Sequence, residues 1–164
     1  MEDKIAKLAP SILAADFAFL GEQVIEAERG GADRIHVDIM DGHSLPNITI
    51  GALIVKSLRR ITDLHLEMHM MISDPDFFLS EFVEAGSDSF IHNTLPKIRR
   101  VGQMIERIKP ECELEVDGGI DEATAQLTID AGANVLVVGS SIFGASVGVC
   151  AAMQRMRVAT TPAE

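Results

Sequence analysis

Three times along this chain a helix-like segment ends in the same punctuation and hands over to a strand-like one. The copies are Gly30-Gly31-Ala32-Asp33, Ala85-Gly86-Ser87-Asp88 and Ala131-Gly132-Ala133-Asn134. A glycine there supplies the left-handed turn that stops a helix and sends the chain into an extended segment. Short apolar stretches alternating with longer helical ones mark an internal βα repeat, and hence a parallel α/β fold. The pattern predicts strands over 8–13, 34–40, 64–72, 113–117 and 134–140, and helices over 16–29, 51–60, 75–85, 95–108, 122–131 and 145–156. The first helix is expected to be capped by Asp16 and to carry its apolar residues at Phe17, Leu20, Val24 and Ala27. The second copy breaks the rhythm. After Asp88 only Ser89-Phe90-Ile91-His92-Asn93 precedes the next helix, which Pro96 opens, and five residues are too few for a good strand and its loop.

A chain of 164 residues is sized for one domain with a real core, so residues 1–164 are read as a single domain. Lys and Arg number 14 against 25 Asp and Glu, a net charge of −11 that argues against nucleic acid and anionic membranes as partners. No apolar run approaches the roughly 18 residues that a membrane span needs. The opening Met1-Glu2-Asp3-Lys4 lacks the layout of a signal peptide. Two cysteines, Cys112 and Cys150, are too few for a disulfide framework, so reduced thiols and a cytoplasmic location are expected.

Side chains alternate along a strand, so parity sorts them. Over 34–40, Ile35, Val37 and Ile39 take one face and Arg34, His36, Asp38 and Met40 the other. Over 64–72, Leu66, Met68, Met70 and Ile72 oppose His65, Glu67, His69 and Met71; over 113–117, Leu114 and Val116 oppose Glu113, Glu115 and Asp117. An apolar face under helices is expected of any α/β sheet, and Met68, Met70 and Met71 read first as packing. The second face gathers carboxylates and imidazoles toward the C-terminal strand ends, where α/β folds place their sites. His36 and Asp38 lie on one face about 6.6 Å apart along a strand, and His69 and Asp117 end two other strands in the same way. Two imidazoles and two carboxylates converging there would suit a divalent transition metal. The alternative is an antiparallel sheet whose polar face is merely solvated. His43, His65 and His92 are given no role. Asp117-Gly118-Gly119 and Gly139-Ser140 each follow a strand, and backbone N–H groups at such turns can cradle a phosphate; ordinary turn chemistry is the alternative.

Longer stretches resemble a known family. Leu8-Ala9-Pro10-Ser11-Ile12-Leu13-Ala14-Ala15-Asp16-Phe17, Gly31-Ala32-Asp33-Arg34-Ile35-His36-Val37-Asp38-Ile39-Met40-Asp41-Gly42-His43 and Pro46-Asn47-Ile48-Thr49-Ile50-Gly51 closely resemble ribulose-phosphate 3-epimerase. So do Met68-His69-Met70-Met71-Ile72, Glu115-Val116-Asp117-Gly118-Gly119-Ile120 and Val138-Gly139-Ser140-Ser141-Ile142-Phe143. The resemblance implies a (β/α)₈ TIM barrel with one divalent metal ion (Zn, Fe, Mn or Co) held by His36, Asp38, His69 and Asp117. It also implies Asp38 and Asp117 as the acid/base pair, Ser11 and His69 touching substrate, and Gly118, Gly119, Gly139 and Ser140 at its phosphate. The implied reaction interconverts D-ribulose 5-phosphate and D-xylulose 5-phosphate by moving a proton at C3, a step of the pentose phosphate pathway.

Two departures bear on that expectation. A (β/α)₈ barrel typically takes about 250 residues, whereas this chain has 164. The family's glycine-rich Gly-Phe-Gly-Gly-Gln turn, expected after Asp88, is absent, so the sequence reads as an incomplete barrel of about five to six strands. Roughly three βα units are then missing near residues 88–89. Ser44-Leu45 replaces the family's aromatic-Val pair. A shortened ring exposes strand edges, which favours a homo-oligomer. The alternatives are a non-catalytic remnant of the family and an epimerase acting on a hexulose phosphate.

Overall fold

The computed structural model describes residues 6–43, 45–91 and 113–161. Among the described residues six strands alternate with helices. The strands are β1 (Lys7–Pro10), β2 (Arg34–Met40), β3 (His65–Met71), β4 (Ser89–Ile91), β5 (Glu115–Asp117) and β6 (Val135–Val138). The helices are α1 (Leu20–Arg29), α2 (Ala52–Leu58), α3 (Pro75–Ala85), α4 (Ala125–Asp130), α5 (Ser140–Phe143) and α6 (Val149–Ala159). Every ladder is parallel: β5 and β1 flank β6, and β2 and β4 flank β3. One parallel bridge, Ser11 to His36, joins the two groups. The order is therefore β5-β6-β1-β2-β3-β4, an arc of a parallel α/β barrel with no antiparallel ladder among the described strands.

The parity expected of the strands holds. Ile35, Val37, Ile39, Leu66, Met68 and Met70 lie buried with Leu20, Val24, Val55, Leu58 and Phe82 from the covering helices. Leu8, Leu136 and Val138 pack with Ala27, Met153 and Met156 in a second cluster. The opposite face of β1 and β6 is small and apolar (Ala9, Val135 and Val137), whereas that of β2 and β3 is polar.

Several boundaries shift for physical reasons. The first strand stops at Pro10, because the Ser11 side chain caps a 3₁₀ turn over Ile12–Ala14. Asp16 does cap the next element, but it caps a 3₁₀ turn over Phe17–Phe19, and the α-helix begins only at Leu20. Phe17 is consequently 47% exposed and stays outside the core that Leu20, Val24 and Ala27 enter. The helix expected over 145–156 lies at Val149–Ala159, preceded by the short α5 that grows directly from the end of β6. The stretch judged too short for a strand contains one: Ser89–Ile91 pairs in parallel with Glu67–His69. The helix expected over 95–108, together with His92 and Cys112, lies outside the described residues.

The repeated punctuation proves to be a repeated contact. Gly31, Gly86 and Gly132 all adopt left-handed backbone, with φ of 97°, 102° and 110°. The residue two positions on then grips the start of the preceding strand at two points. Asp33 accepts from the Leu8 N–H and donates its own N–H to the Leu8 carbonyl. Asp88 does the same at Leu66, and Asn134 at Leu114. Arginines brace the two acidic copies. Arg157, from the last helix, donates to Asp33 and to the Ala6 and Gly31 carbonyls. Arg59, just after α2, donates to Asp88 and to the Thr62, Leu64 and Gly86 carbonyls. The last helix thus stands to β1 as α2 stands to β3, the relation a closing ring requires.

Asp33→Ala removes the acceptor of a buried N–H and should cost about 1–3 kcal/mol in urea unfolding. Asp33→Asn keeps that acceptor, as Asn134 does, and loses only a half-exposed ion pair, so it should cost roughly 0–1 kcal/mol. Equal losses in the two variants would show that the ion pair dominates.

Candidate active site

The carboxyl ends of the strands converge on one polar cluster. β2 brings Asp38 and β3 brings His69 to adjacent places, because the parallel register pairs them directly. His36 sits one inward-facing position earlier on β2, wholly buried, and Asp117 ends β5 across the mouth. His36 Nε2 and His69 Nδ1 each lie 3.2 Å from Asp38 Oδ1. Asp117 Oδ2 lies 4.0 Å from His69 Nδ1. One atom from each of His36, Asp38, His69 and Asp117 falls within 4.8 Å of the others. Four ligands around an ion at 2.0–2.2 Å stand about 3.4 Å apart, so these spacings bracket what a small divalent ion needs. Mixed imidazole and carboxylate donors also suit a first-row transition metal better than calcium or magnesium. The residues present fit a metal.

Ser11 completes the cluster from the end of β1: its hydroxyl donates to Asp38 Oδ2 at 2.7 Å. The two oxygens of Asp38 therefore face different ways, one to the imidazoles and one to Ser11. A cavity of about 720 Å³ opens over the cluster, lined by Ser11, Asp38 and Asp117 at its base and by Gly118, Gly119, Gly139 and Ser140 at its side. Gly118 and Gly119 have φ of 111° and 68°, and a Cβ at either would meet nothing within 4 Å. Their backbone conformation, rather than crowding, calls for glycine. Leu45 lines the same cavity, while Ser44 lies outside the described residues.

The rim is tied down. Asp41 Oδ2 accepts from both the N–H and the hydroxyl of Ser73, linking the loop after β2 to the loop after β3. These bonds hold the Asp41 carboxyl well below the usual carboxylate range. Thr49 folds the loop back on β2 by donating to the Asp38 carbonyl at 2.7 Å. His43 is exposed and pairs with Asp41, and His65 meets Ser89 at the far end of the strands, so both stay outside the cluster as expected.

Parity placed Arg34, Glu67 and Glu115 on this face, but only the structure shows that they form a second layer beneath it. Arg34 donates to Glu67 at 2.7 Å and to Glu113 at 2.8 Å. Glu67 Oε2 and Glu115 Oε1 lie 3.6 and 3.5 Å from His36 Nδ1. Burial disfavours charge on every member, and their mutual interactions decide the outcome. Burial and the Glu67 carboxylate push Glu115 up to about 9. Burial alone would raise Glu67, but its neighbours His36 and Glu115 and the Arg34 charge bring it down to about 2. Burial alone would lower His36, but its acidic neighbours hold it up to about 10. Asp38 is buried too, yet hydrogen bonds from His36, His69 and Ser11 hold it well below the carboxylate range.

These shifts set a sign for the metal-free protein. Glu115 and His36 retain protons in the folded state that they lose when unfolded, so their contribution is full at low pH and declines as pH rises through about 9–10. Glu67, already ionised above about 4.5 in both states, adds no slope there. In chelator, the urea midpoint should fall between about pH 6 and pH 9, and Glu115→Gln should flatten that fall. Stability that climbs over this range would reverse the assignment.

Known proteins match this chain over most of its length. The family model described as "Ribulose-phosphate 3 epimerase family" matches residues 7–89 and 84–143. Ribulose-phosphate 3-epimerase of Bacillus subtilis is 38% identical over 202 residues, covering 85% of this chain and 93% of that protein. The Aquifex aeolicus protein of the same name is 35% identical over 199 residues, covering 84% and 90%. Among solved structures, tryptophan synthase subunit alpha from Legionella pneumophila superposes with a TM-score of 0.61 at 15% identity, covering 94% of this chain and 92% of that one. That likeness shows the fold alone, an incomplete parallel barrel of the (β/α)₈ type.

Proposed function

The chain belongs to the ribulose-phosphate 3-epimerase family and is an epimerase; from that premise we propose that it interconverts D-ribulose 5-phosphate and D-xylulose 5-phosphate by proton removal and return at C3. The observation that carries this reading is the pair of carboxylates, Asp38 and Asp117, reaching one cluster from strands on opposite sides of the mouth. Inverting a carbon requires a proton to leave one face and return to the other, so two bases must approach from different directions. Asp38 Oδ2, held by the Ser11 hydroxyl, is the oxygen turned away from the imidazoles and available to the substrate. Asp117 is the more open of the two, with its side chain 45% exposed against 6% for Asp38. Ser11 and His69 border the substrate, and the turns at Gly118-Gly119 and Gly139-Ser140 present backbone N–H groups to its phosphate.

His36, Asp38, His69 and Asp117 would hold a divalent ion, whose charge stabilises the negative charge that develops on the substrate oxygens when the proton leaves. Burial of Asp38 and His36 keeps water from competing for the donors. Phosphate binding remote from C3 positions the reacting carbon, so weakening it lowers turnover as well as affinity.

We infer also that βα units are missing near residues 88–89. An alignment of 202 residues to the Bacillus subtilis enzyme is longer than this 164-residue chain. The family model, moreover, matches in two pieces that share residues 84–89. Both facts support an internal loss at that point.

Elemental analysis of protein purified without chelator should find about one transition metal per chain, and much less in His69→Ala. A metal-free wild-type protein with its fold intact would refute the metal reading. Asp38→Asn and Asp117→Asn should each abolish epimerisation with the fold retained, while one of them still exchanges the C3 proton with solvent, because a single base suffices for exchange. Normal turnover in both variants would remove the two-carboxylate assignment.

A further inference from the structure

Behind the cluster, the buried face of His36 meets a carboxylate that nothing so far gives a task. His36 is 0% exposed, and its two ring nitrogens look in opposite directions. Nε2 faces Asp38 and the site; Nδ1 faces inward, 3.6 Å from Glu67 Oε2 and 3.5 Å from Glu115 Oε1. His36 Nδ1 and Glu67 Oε2 are both fully buried, and neither makes a hydrogen bond to another group. A buried donor and a buried acceptor that face each other with no hydrogen bond formed are each other's remedy.

Glu67 is also held for the purpose. Its Oε1 is fixed by Arg34 Nη1 at 2.7 Å, and Arg34 is itself buried and fixed by Glu113 at 2.8 Å. With Oε1 committed, Oε2 is left facing the ring. Glu115 approaches the same nitrogen but is the less enclosed of the two, its side chain 17% exposed against 5% for Glu67.

We propose that Glu67 is the positioning residue of His36: its carboxylate accepts the Nδ1–H, and so fixes the tautomer that presents Nε2 to a metal. The inference rests on reading His36 as a metal ligand. A ligating imidazole must offer a lone pair on one nitrogen, and a carboxylate at the other nitrogen selects that tautomer, locks the ring plane and strengthens the donor. Arg34, Glu67 and His36 then form one line, from a guanidinium at the base of the strands to the ligand atom at their middle. None of the three lines the cavity.

The test uses the full chain with Zn²⁺ or Co²⁺ alone as the probe. Glu67→Gln keeps the shape of the side chain but weakens the acceptor, so Zn²⁺ affinity, read by competition with a chromophoric chelator, should fall roughly 10–100-fold. The Co²⁺ absorption spectrum should change in intensity and position, and Glu67→Asp should restore part of both. Zn²⁺-loaded wild-type protein gives a readout that needs no variant: ¹⁵N shifts of His36 should show Nδ1 protonated and Nε2 metal-bound. Unchanged affinity and spectrum in a folded Glu67→Gln, or Nδ1 found on the metal, would overturn the proposal and leave the metal reading standing. Two metal equivalents in wild type, one of them lost in Glu67→Gln, would make Glu67 a ligand in its own right and overturn it too. Wild-type protein that takes up no metal would overturn the ligand reading and this proposal with it.

Discussion

One parallel register sets the polar half of the inner face. β2 and β3 pair so that Arg34, His36 and Asp38 stand opposite His65, Glu67 and His69. Because side chains alternate, a slip of one residue would turn Ile35, Val37 and Ile39 inward and drive Arg34, His36 and Asp38 against the helices. The apolar core and the polar cluster are therefore two consequences of the same pairing. The repeated clamp helps to impose it around the arc. Asp33 joins the start of β1 to β2, Asp88 that of β3 to β4, and Asn134 that of β5 to β6, each by a two-point contact made before the ladder begins. A chain that fixes alternate pairs at their first residues leaves the intervening ladders little freedom to slide.

Burying so much charge on that face is costly unless the charges satisfy one another. The structure groups the opposed charges in layers. Lys7 and Arg34 share Glu113 at the base, and Arg34 carries the link inward to Glu67. His36 sits between the Glu67–Glu115 pair and Asp38. Ser11 and the imidazoles then close on Asp38 at the top. Each layer hands one committed group to the next, so the orientation of Asp38 depends on residues near the opposite ends of the strands. On β1 and β6, Ala9, Val135 and Val137 fill the same face with small apolar groups, and the cavity opens beside them. A polar wall against an apolar one suits a sugar phosphate, which has hydroxyls to orient and a carbon skeleton to cover.

Much of this was legible in the residues. Parity alone separated His36, Asp38, His69 and Asp117 from the apolar face, because a period of two does not depend on tertiary detail. The glycine punctuation announced the repeat, because left-handed backbone is a local demand. What escaped was of another kind. Ser89–Ile91 was rejected as a strand on length, yet three residues suffice when a formed neighbour supplies the ladder. Phe17 fitted a helical stripe but sits in a 3₁₀ turn, whose different pitch carries it out to solvent. Glu67 and Glu115 were seen on the right face without a role, since only the close approach of β2, β3 and β5 reveals that they share His36. Local signals could be read; meetings between distant segments could not.

The same punctuation bears on the proposed loss of βα units near 88–89, because it lets the remaining strands still pair. The two family matches overlap at 84–89, the stretch that contains the second copy of the motif. In a fold built from equivalent units, that stretch resembles both the end of one unit and the end of a later one. A junction placed there keeps everything the motif needs: the left-handed glycine at 86, the grip of Asp88 on Leu66 and the brace from Arg59. Whichever unit supplied Ser89–Ile91, it reaches β3 in a position where its backbone pairs with Glu67–His69. A cut between a helix stop and its clamp would leave a strand start ungripped. On that proposal the loss would fall on what such units contribute individually, rather than on the register that holds Asp38 beside His69.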